Sequence, residues 1–436
     1  MTSAETPPRA GGPSAVSWHA RLPFFYGWLM LPVVTLILIA ASPGQTYGIA
    51  VFNPYLREAL SLSSSELSGA YMMGTLLAAL PMTWTGALMD RHGPRKTLSG
   101  AVLLFGLTCL GMSQVSGLFT LFLAFLFLRM LGQGAMGLLA GGALAMWFNR
   151  RLGLAGGISN LGAAASMGVI PALGLWLIHS YGWRWTYAIL GLAVWALILP
   201  LLALFFRNRP EDIGQEPDGG LVLPEEKREK TCGARRAFTL AAALRTRTYW
   251  IVMGITASWS MIGTGIHFHA VPIYLARGLG EADAVAMFSI SAAVMACARL
   301  GGGLLVDRAP LNLVIAAAML CKTAALVLLN QREGGWTSTL FPATFALSSG
   351  LWMAVNQTLW VRYYGRAHLG KILGAAATIG VASSSFGPFA MGLAYDVFGS
   401  YSQIIWIFVA MVAPLALFGL LATPPPVPSP VAVREA

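Results

Sequence analysis

Charged residues are scarce in this sequence. Only 10% of its 436 residues are Asp, Glu, Lys or Arg, 56% are apolar, and the mean hydropathy is +0.68. Soluble domains carry about a quarter charged residues, so this composition excludes an ordinary soluble protein. The long apolar runs suit helices that cross about 30 Å of hydrocarbon. The alternating strands of about 10 residues that build a transmembrane barrel do not occur. We therefore expect an all-α membrane protein.

The sequence also lacks motifs typical of disulfide frameworks, metal sites and enzymes. The four cysteines, at positions 109, 232, 297 and 321, show neither pairing nor metal-ligand spacing. The segment "GRAHLGK" (365–371) fits the start of a phosphate-binding loop, but Ile372 follows where Ser or Thr is needed. The N-terminal segment lacks the features of a signal peptide. We expect no metal, no cofactor, no nucleic-acid partner and no enzymatic activity.

Polar and glycine-rich loops divide the sequence into twelve predicted spans. They lie near 26–50, 66–89, 97–114, 118–147, 153–180, 186–206, 248–275, 283–306, 312–330, 337–361, 372–396 and 402–421. The longest polar stretch, 207–247, is predicted to be a linker between a first six-helix half, 26–206, and a second, 248–421. Tails of residues 1–25 and 422–436 flank the two halves.

The basic residues set the predicted orientation. With both termini, the linker and the loops after even-numbered spans in the cytoplasm, 21 of the 28 Lys and Arg residues face inward and four face outward. Inner loops of membrane proteins are enriched in these residues, so we expect both termini to be cytoplasmic. The net charge of +11 is thereby explained without nucleic acid. The short loops favour a bacterial inner membrane.

The two predicted halves repeat each other. A shift of 217 residues places Asp90-Arg91 on Asp307-Arg308, Pro171 on Pro388 and Gly182 on Gly399. Parallel repeats related by an axis along the membrane normal are a transporter architecture, with the substrate site between the halves near the midplane.

Short motifs give the sequence a family resemblance. The segment "GALMDRHGPRK" (86–96) resembles the loop 2–3 signature of the major facilitator superfamily, and "GGLLVDRAP" (302–310) resembles its second copy in loop 8–9. The segment "RMLGQG" (129–134) is similar to the fourth-helix motif of that superfamily. The segments "FYGW" (25–28), "GWRWTY" (182–187) and "HAVP" (269–272) are similar to the group of monocarboxylate porters and oxalate/formate exchangers.

The resemblance implies a transporter that works by alternating access, usually as a monomer. It also implies a cytoplasmic latch in the outward-facing state, in which the loop acid pairs with basic groups and caps a neighbouring helix. The residues that match this latch are Asp90, Arg91, Arg95, Asp307 and Arg308.

No carboxylate lies in the middle of a predicted span. The ionisable groups there are all basic: Arg129, Arg299, Lys322, His267 and His269. Each charge at the centre of a membrane helix costs at least about 2.5–3.5 kcal/mol, so such groups are functional candidates. Three cations without buried acids indicate that the substrate supplies negative charge.

Arg299 is the leading candidate for substrate binding. The segment "MACAR" (295–299) is similar to the helix-8 segment of monocarboxylate porters, whose arginine receives the substrate carboxylate. A guanidinium offers a two-donor fork that matches a carboxylate. The alternative is a structural arginine that bonds to Asp307 or to backbone, although Asp307 is about 12 Å away along the helix. Many animal relatives have a proton-coupling aspartate where this chain has Met295.

The proton carrier is left open by the sequence. Histidine side chains ordinarily titrate near physiological pH, so His269 is one candidate, although the pattern slightly favours a buried, hydrogen-bonded structural histidine. Arg129 is either structural or assists coupling. Lys322 lies on helix 9, which the resemblance makes peripheral, so we expect it to snorkel or to pack structurally.

Polar residues on the central spans complete the predicted substrate site, near the helix breaks at Pro43-Gly44 and Pro388. They are Tyr47, Gln45, Tyr71, Asn356, Gln357 and Ser384. Together these features favour proton-linked transport of a small organic anion, with a monocarboxylate preferred over a dicarboxylate. An organic-anion exchanger, a drug or neutral-solute exporter and a transport-inactive receptor remain alternatives.

Overall fold

The computed structural model of the protein describes residues 24–148, 151–219, 238–331, 336–365 and 369–426. Within these ranges the secondary structure is helical and contains no strand. Eight helical segments of the described residues are long and apolar enough to cross a membrane. The expectation of an all-α membrane protein is confirmed. The count of twelve crossings, their orientation and the domain boundaries stay predictions.

The first half is built from helices separated by short breaks. They are α1 (Gly27–Ala40), α2 (Thr46–Ala50), α3 (Asn53–Leu60), α4 (Ser64–Ala78), α5 (Met82–His92), α6 (Pro94–Met112), α7 (Leu118–Leu128), α8 (Gly137–Trp147) and α9 (Leu152–Leu204). A π-helix, Arg129–Met136, joins α7 to α8. Helix α9 spans the fifth and sixth predicted spans and bends at Gly182, whose φ of +80° favours glycine.

The second half follows the same pattern. Its helices are α10 (Leu240–Leu244), α11 (Arg247–Phe268), α12 (Ala270–Leu275), α13 (Glu281–Arg308), α14 (Leu311–Asn330), α15 (Trp336–Tyr364), α16 (Leu369–Phe398) and α17 (Ser402–Leu420). The helices α13, α14, α15, α16 and α17 begin and end close to the bounds of predicted spans, whereas α10 lies inside the predicted linker and the break between α11 and α12 lies inside the predicted span 248–275. Residues 220–237 of the predicted linker lie outside the described ranges.

Glycines allow close helix packing in the second half. A Cβ added at Gly387 of α16 would collide with the carbonyl oxygen of Met261 of α11, and Gly265 of α11 faces the backbone of Gly387 in return. A Cβ at Gly350 of α15 would likewise collide with Ala298 of α13. Small residues permit such approach between helices in lipid. The two helix pairs are thereby held close together.

The halves meet at one end of the bundle. This end is formed by the start of α4, the start of α13 and the end of α16, and we call it the sealed end. Asp396 of α16 accepts hydrogen bonds from the backbone N–H groups of Ser64 (3.1 Å) and Ser65 (2.6 Å) at the start of α4. A carboxylate at a helix N-terminus is stabilised by about 0.3–1 kcal/mol, and more where it is partly buried. Asp396 thus joins the second half to the first.

A second polar contact between the halves lies beside it. The Tyr55 hydroxyl donates to Oε2 of Glu281 (2.8 Å), and His179 Nε2 lies 3.0 Å from the same oxygen. Burial, followed by the bond to Glu281, raises the pKa of the Tyr55 hydroxyl well above its ordinary value, so it remains a donor. Deeper in the bundle, Ser289 of α13 donates to the carbonyl oxygen of Gly168 of α9 (2.7 Å). A Cβ added at Gly168 would lie 3.3 Å from Cβ of Ala292.

The α9–α13 contact predicts a specific disulfide. In a variant whose native cysteines are replaced by serine, Gly168→Cys with Ala292→Cys should form a disulfide on mild oxidation, because the two Cβ positions lie near the bonding distance. The bond should arrest transport, and reduction should restore it. Gel mobility after peptide cleavage between the halves measures the cross-link.

The matched control is Gly157→Cys with Gly303→Cys. Gly157 lies eleven residues before Gly168 in α9, and Gly303 lies eleven residues after Ala292 in α13. A Cβ added at either glycine meets nothing within 4 Å. We expect this pair to cross-link much more slowly. Equal cross-linking rates for the two pairs would contradict a contact between α9 and α13 that is specific to Gly168 and Ala292.

Candidate functional site

A cavity of about 570 Å³ lies between the halves, which is within the usual range of small-molecule sites. Its walls come mostly from α11, α15 and α16, and the first half contributes Thr46 and Gln133. The cavity reaches Trp360, near the end of α15, and Leu373, near the start of α16. Since Asp396 at the other end of α16 belongs to the sealed end, the cavity extends toward the opposite end of the bundle.

The lining is polar along one face of α11. Thr256, Ser260, Thr264 and His267 recur at helical spacing and all line the cavity. We did not single out the first three from the sequence, although this polar stripe in an apolar helix was the signal that could have revealed them. Gln133, on the π-helix after Arg129, was also missed. No Asp or Glu lines the cavity among the described residues.

Two of the predicted substrate-binding residues line the cavity. Asn356 of α15 presents its amide there while its Oδ1 accepts a hydrogen bond from the Trp360 indole (2.9 Å). Ser384 of α16 also lines the cavity, and its hydroxyl donates to the carbonyl oxygen of Val381 (2.8 Å). Gln357, the neighbour of Asn356, is exposed and is not part of the lining.

The predicted residues of the first half lie beside the cavity wall. The Tyr47 hydroxyl hydrogen-bonds to Ser166 (2.8 Å) of α9 and to Ser42 (3.2 Å). Gln45 is the residue before α2, half-buried at the break in the first span. Tyr71 is buried, and its hydroxyl hydrogen-bonds to Thr46 (2.8 Å), which does line the cavity. Tyr71 therefore supports the cavity wall through Thr46, whereas Tyr47 joins the broken first span to α9.

Arg299 does not line this cavity. It is half-buried on α13, and no hydrogen-bond or ion-pair partner is found for it among the side chains that the structure describes; the Asp307 side chain lies outside that set. Its neighbour Ala298 contacts Gly350 of α15, the residue after the cavity-lining Ser349. Arg299 is also seven residues, two helical turns, beyond Ala292 on the same face of α13. Because Ala292 contacts Gly168, this spacing places Arg299 on the face of α13 that is turned toward the first half.

Arg129 holds the broken first span in place. Its guanidinium donates to the carbonyl oxygen of Gly44 (3.2 Å), to the Thr75 hydroxyl (3.2 Å) and to the Thr46 hydroxyl (3.4 Å), and it lies 5.0 Å from the ring centroid of Tyr71. All of these acceptors are uncharged. Arg129 therefore binds a carbonyl that the break at Pro43-Gly44 leaves free, and its predicted part in coupling stays a prediction.

His269 is buried near the sealed end. Its Nε2 donates to the carbonyl oxygen of Pro388 (2.9 Å), and its Nδ1 accepts from the Tyr401 hydroxyl (3.2 Å). Both ring nitrogens are therefore bonded within the second half, and His269 is not among the residues that line the cavity. His267, two residues earlier, does line it.

The predicted latch residues lie at the end of the bundle opposite the sealed end. Asp90 and Arg91 are exposed, and so is Arg308 at the end of α13. Arg95 donates to the carbonyl oxygens of Leu202 (2.9 Å) and Ala203 at the end of α9, and so fastens loop 2–3 to its own half. Asp307 lies in α13, but its side chain is outside the described set. The pairing of the two latch segments stays a prediction.

Lys322 does not snorkel. It lies in the middle of α14 with its side chain buried, and Nζ donates to the carbonyl oxygen of Trp259 (3.2 Å). Nζ also lies 5.3 Å from the ring centroid of Trp259 and 5.1 Å from that of Phe345. Trp259 and Phe345 both line the cavity, so Lys322 stands directly behind an aromatic part of its wall.

Known proteins resemble this chain along most of its length. Mouse "Monocarboxylate transporter 11" is 26% identical over 358 residues, which cover 79% of this chain and 73% of that protein. The "2-nitroimidazole transporter" of Escherichia coli (strain K12) is 25% identical and covers 89% of this chain and 94% of its own. The crystal structure of a D-xylose-proton symporter superposes with a TM-score of 0.70 at 16% identity, over 92% of this chain and 98% of the other.

The family is settled by a broader match. The family model described as "Major Facilitator Superfamily" matches residues 35–388, which cover most of both predicted halves and every residue that lines the cavity. The motif resemblance found in the sequence is thereby confirmed, and the chain belongs to the major facilitator superfamily of membrane transporters.

Proposed function

We propose that this transporter moves a small organic anion, a monocarboxylate, together with a proton by alternating access. One observation carries the proposal: the membrane interior holds positive charge, and no carboxylate lines the cavity among the described residues. Arg299 is half-buried without a partner in the described set. A charge in this environment is costly unless it is paired, and a substrate anion supplies the pair.

Arg299 is proposed as the group that receives the carboxylate. A guanidinium binds a carboxylate through two parallel hydrogen bonds, whereas a lysine ammonium acts as a point charge. Arg299 sits on the face of α13 that looks toward α9, beyond the contact at Gly168. A substrate that bound there would lie between the halves and close to Ser349 of the cavity wall, whose neighbour Gly350 contacts the backbone of Arg299. The resemblance of "MACAR" to monocarboxylate porters supports the same assignment.

The described conformation supports alternating access. The sealed end joins the halves through Asp396 and Glu281, and the cavity extends toward the opposite end. With the predicted orientation, this is an inward-facing state. In the proposed cycle the seal opens as the latch around Asp90 and Arg308 closes at the other end.

Uptake by the reconstituted protein tests the function. Labelled mono- and dicarboxylates are presented to proteoliposomes with and without an inward proton gradient. We expect a short monocarboxylate to enter faster with the gradient. Uptake that requires an internal anion and ignores the gradient would instead indicate an exchanger. Transport of neutral solutes only would indicate the exporter alternative, and ligand binding without any flux would indicate a receptor.

Substitutions at Arg299 should weaken binding of the anion. We expect Arg299→Gln to raise the half-saturating monocarboxylate concentration at least tenfold, since a hydrogen bond to a charged group contributes about 1.5–3 kcal/mol. Arg299→Lys should recover part of the affinity, because it keeps the charge but not the fork. Concentration-dependent uptake measures both. Arg245→Gln, which removes an exposed cation within the predicted linker, is the matched control and should behave as wild type. Full affinity in Arg299→Gln would rule out this site.

His269→Gln tests the histidine of the sealed end. Glutamine can donate to the Pro388 carbonyl and accept from Tyr401, so it can reproduce both bonds of the imidazole. Because neither ring nitrogen is free to exchange a proton with the cavity, we expect proton-driven accumulation to persist. Loss of the gradient effect, with substrate exchange intact, would instead make His269 the proton carrier.

A further inference from the structure

Lys322 is a buried ionisable group to which the site described above gives no role. Its amine is held by one backbone carbonyl, that of Trp259, and by the faces of two aromatic rings. These partners suit a cation but supply no negative charge. Burial without an anion disfavours the charged form of a group, and a lysine amine, unlike a guanidinium, can give up its proton in such a place.

We propose that Lys322 carries the coupled proton and exchanges it with the cavity through His267. The proposal rests on the proposed proton-linked transport and adds the residues that perform it. An arginine cannot serve, because its guanidinium is never deprotonated in proteins. Lys322 is the remaining cation of the membrane interior, and it stands one side-chain layer from the cavity.

His267 connects the cavity to Lys322. The residue lines the cavity, and its ring packs on Phe345 at 5.7 Å between centroids. Lys322 Nζ lies 5.1 Å from the centroid of the same ring, so the two groups both contact Phe345. The His267 ring is hydrogen-bonded to the backbone carbonyl of Gly263, while Nε2 is buried with no partner among the described residues. The bonded nitrogen is therefore Nδ1, and Nε2 is a bare acceptor that can take up a proton.

The other helices around α14 offer few competing groups in the described ranges. Helix α17 has no ionisable side chain, and α14 itself has Cys321 beside Lys322. Helix α15 has Arg362 and two tyrosines in its last turn, and α13 has its acids in its first turn, apart from Asp307. Cys297 and Arg299 lie farther along α13. His267 of α11 is thus the titratable group that shares the Phe345 contact with Lys322.

The proposed cycle is electrically balanced. A proton passes from the open cavity to Nε2 of His267 and then to the Lys322 amine, which becomes an ammonium. The substrate anion binds between the halves, so that one negative and one positive charge cross together. After release of the anion on the other side, the ammonium returns its proton to His267 Nε2 and to solvent.

Two transport assays separate coupling from binding. Exchange of labelled for unlabelled substrate requires no net proton movement, whereas accumulation does. Wild type should accumulate substrate up to about tenfold per unit of pH gradient with one proton, since a tenfold ratio corresponds to 1.4 kcal/mol.

We expect Lys322→Gln and Lys322→Arg to keep exchange and to lose accumulation, because neither side chain cycles its proton. His267→Gln should slow accumulation. Lys371→Gln, at an exposed lysine, is the matched control and should accumulate normally.

The outcomes distinguish the role of Lys322 from proton-linked transport itself. Normal accumulation by Lys322→Gln overturns the role of Lys322 and leaves proton-linked transport standing. A wild-type protein indifferent to the gradient would remove the proposed coupling itself.

A direct measurement covers variants that fail to fold. The chain has only five lysines, at 96, 227, 230, 322 and 371, so the Lys322 resonance of nitrogen-labelled protein can be assigned by elimination, replacing each of the other four lysines with arginine in turn. We expect the Lys322 resonance to titrate within the physiological range and to shift when monocarboxylate binds. A Lys322 amine that stays charged at every pH, with and without substrate, would overturn the proposal.

Discussion

The desolvation of positive charge within the membrane is the constraint on which this structure depends. Three cations lie within the predicted membrane spans, and each has a different set of partners to offset the free energy of its desolvation. Arg129 bonds to neutral oxygens around the break in the first span, and Lys322 has one carbonyl and two aromatic faces. Arg299 has no partner in the described set. A buried cation is costly unless polar partners or an opposite charge surround it, and in our proposal the substrate anion provides that partner for Arg299.

The same constraint explains where acids are used. Asp396 and Glu281 lie at the sealed end, where each bonds to the opposite half. Contacts between a carboxylate and the start of a helix, or with a tyrosine hydroxyl, are strong enough to close one end and limited enough to open again. The cavity, by contrast, is lined by hydroxyls, amides, indoles and an imidazole. Such a lining is uncharged, so in our proposal the preference for an anion comes from Lys322 behind the wall and Arg299 beside it.

Much of the fold could be predicted from the sequence, because hydrophobic length and glycine punctuation are local signals. The ends of α6, α13, α14 and α17 fall close to predicted bounds, and the bend at Gly182 falls between two predicted spans. The site was less predictable. Which face of α13 carries Arg299, and whether Lys322 reaches lipid or the interior, depends on helix rotation set by packing between halves. Trp259 and Phe345, ordinary residues of apolar helices in the sequence, acquire their role only through contact with Lys322.

The central claim is that the substrate supplies the negative charge that the interior lacks. Thermal stabilisation of the purified protein by a short monocarboxylate, compared with its carboxamide of the same shape, tests that claim most directly. The account predicts that the anion raises the unfolding temperature in a concentration-dependent way and that the neutral amide leaves it unchanged. Equal stabilisation by the two compounds would contradict it.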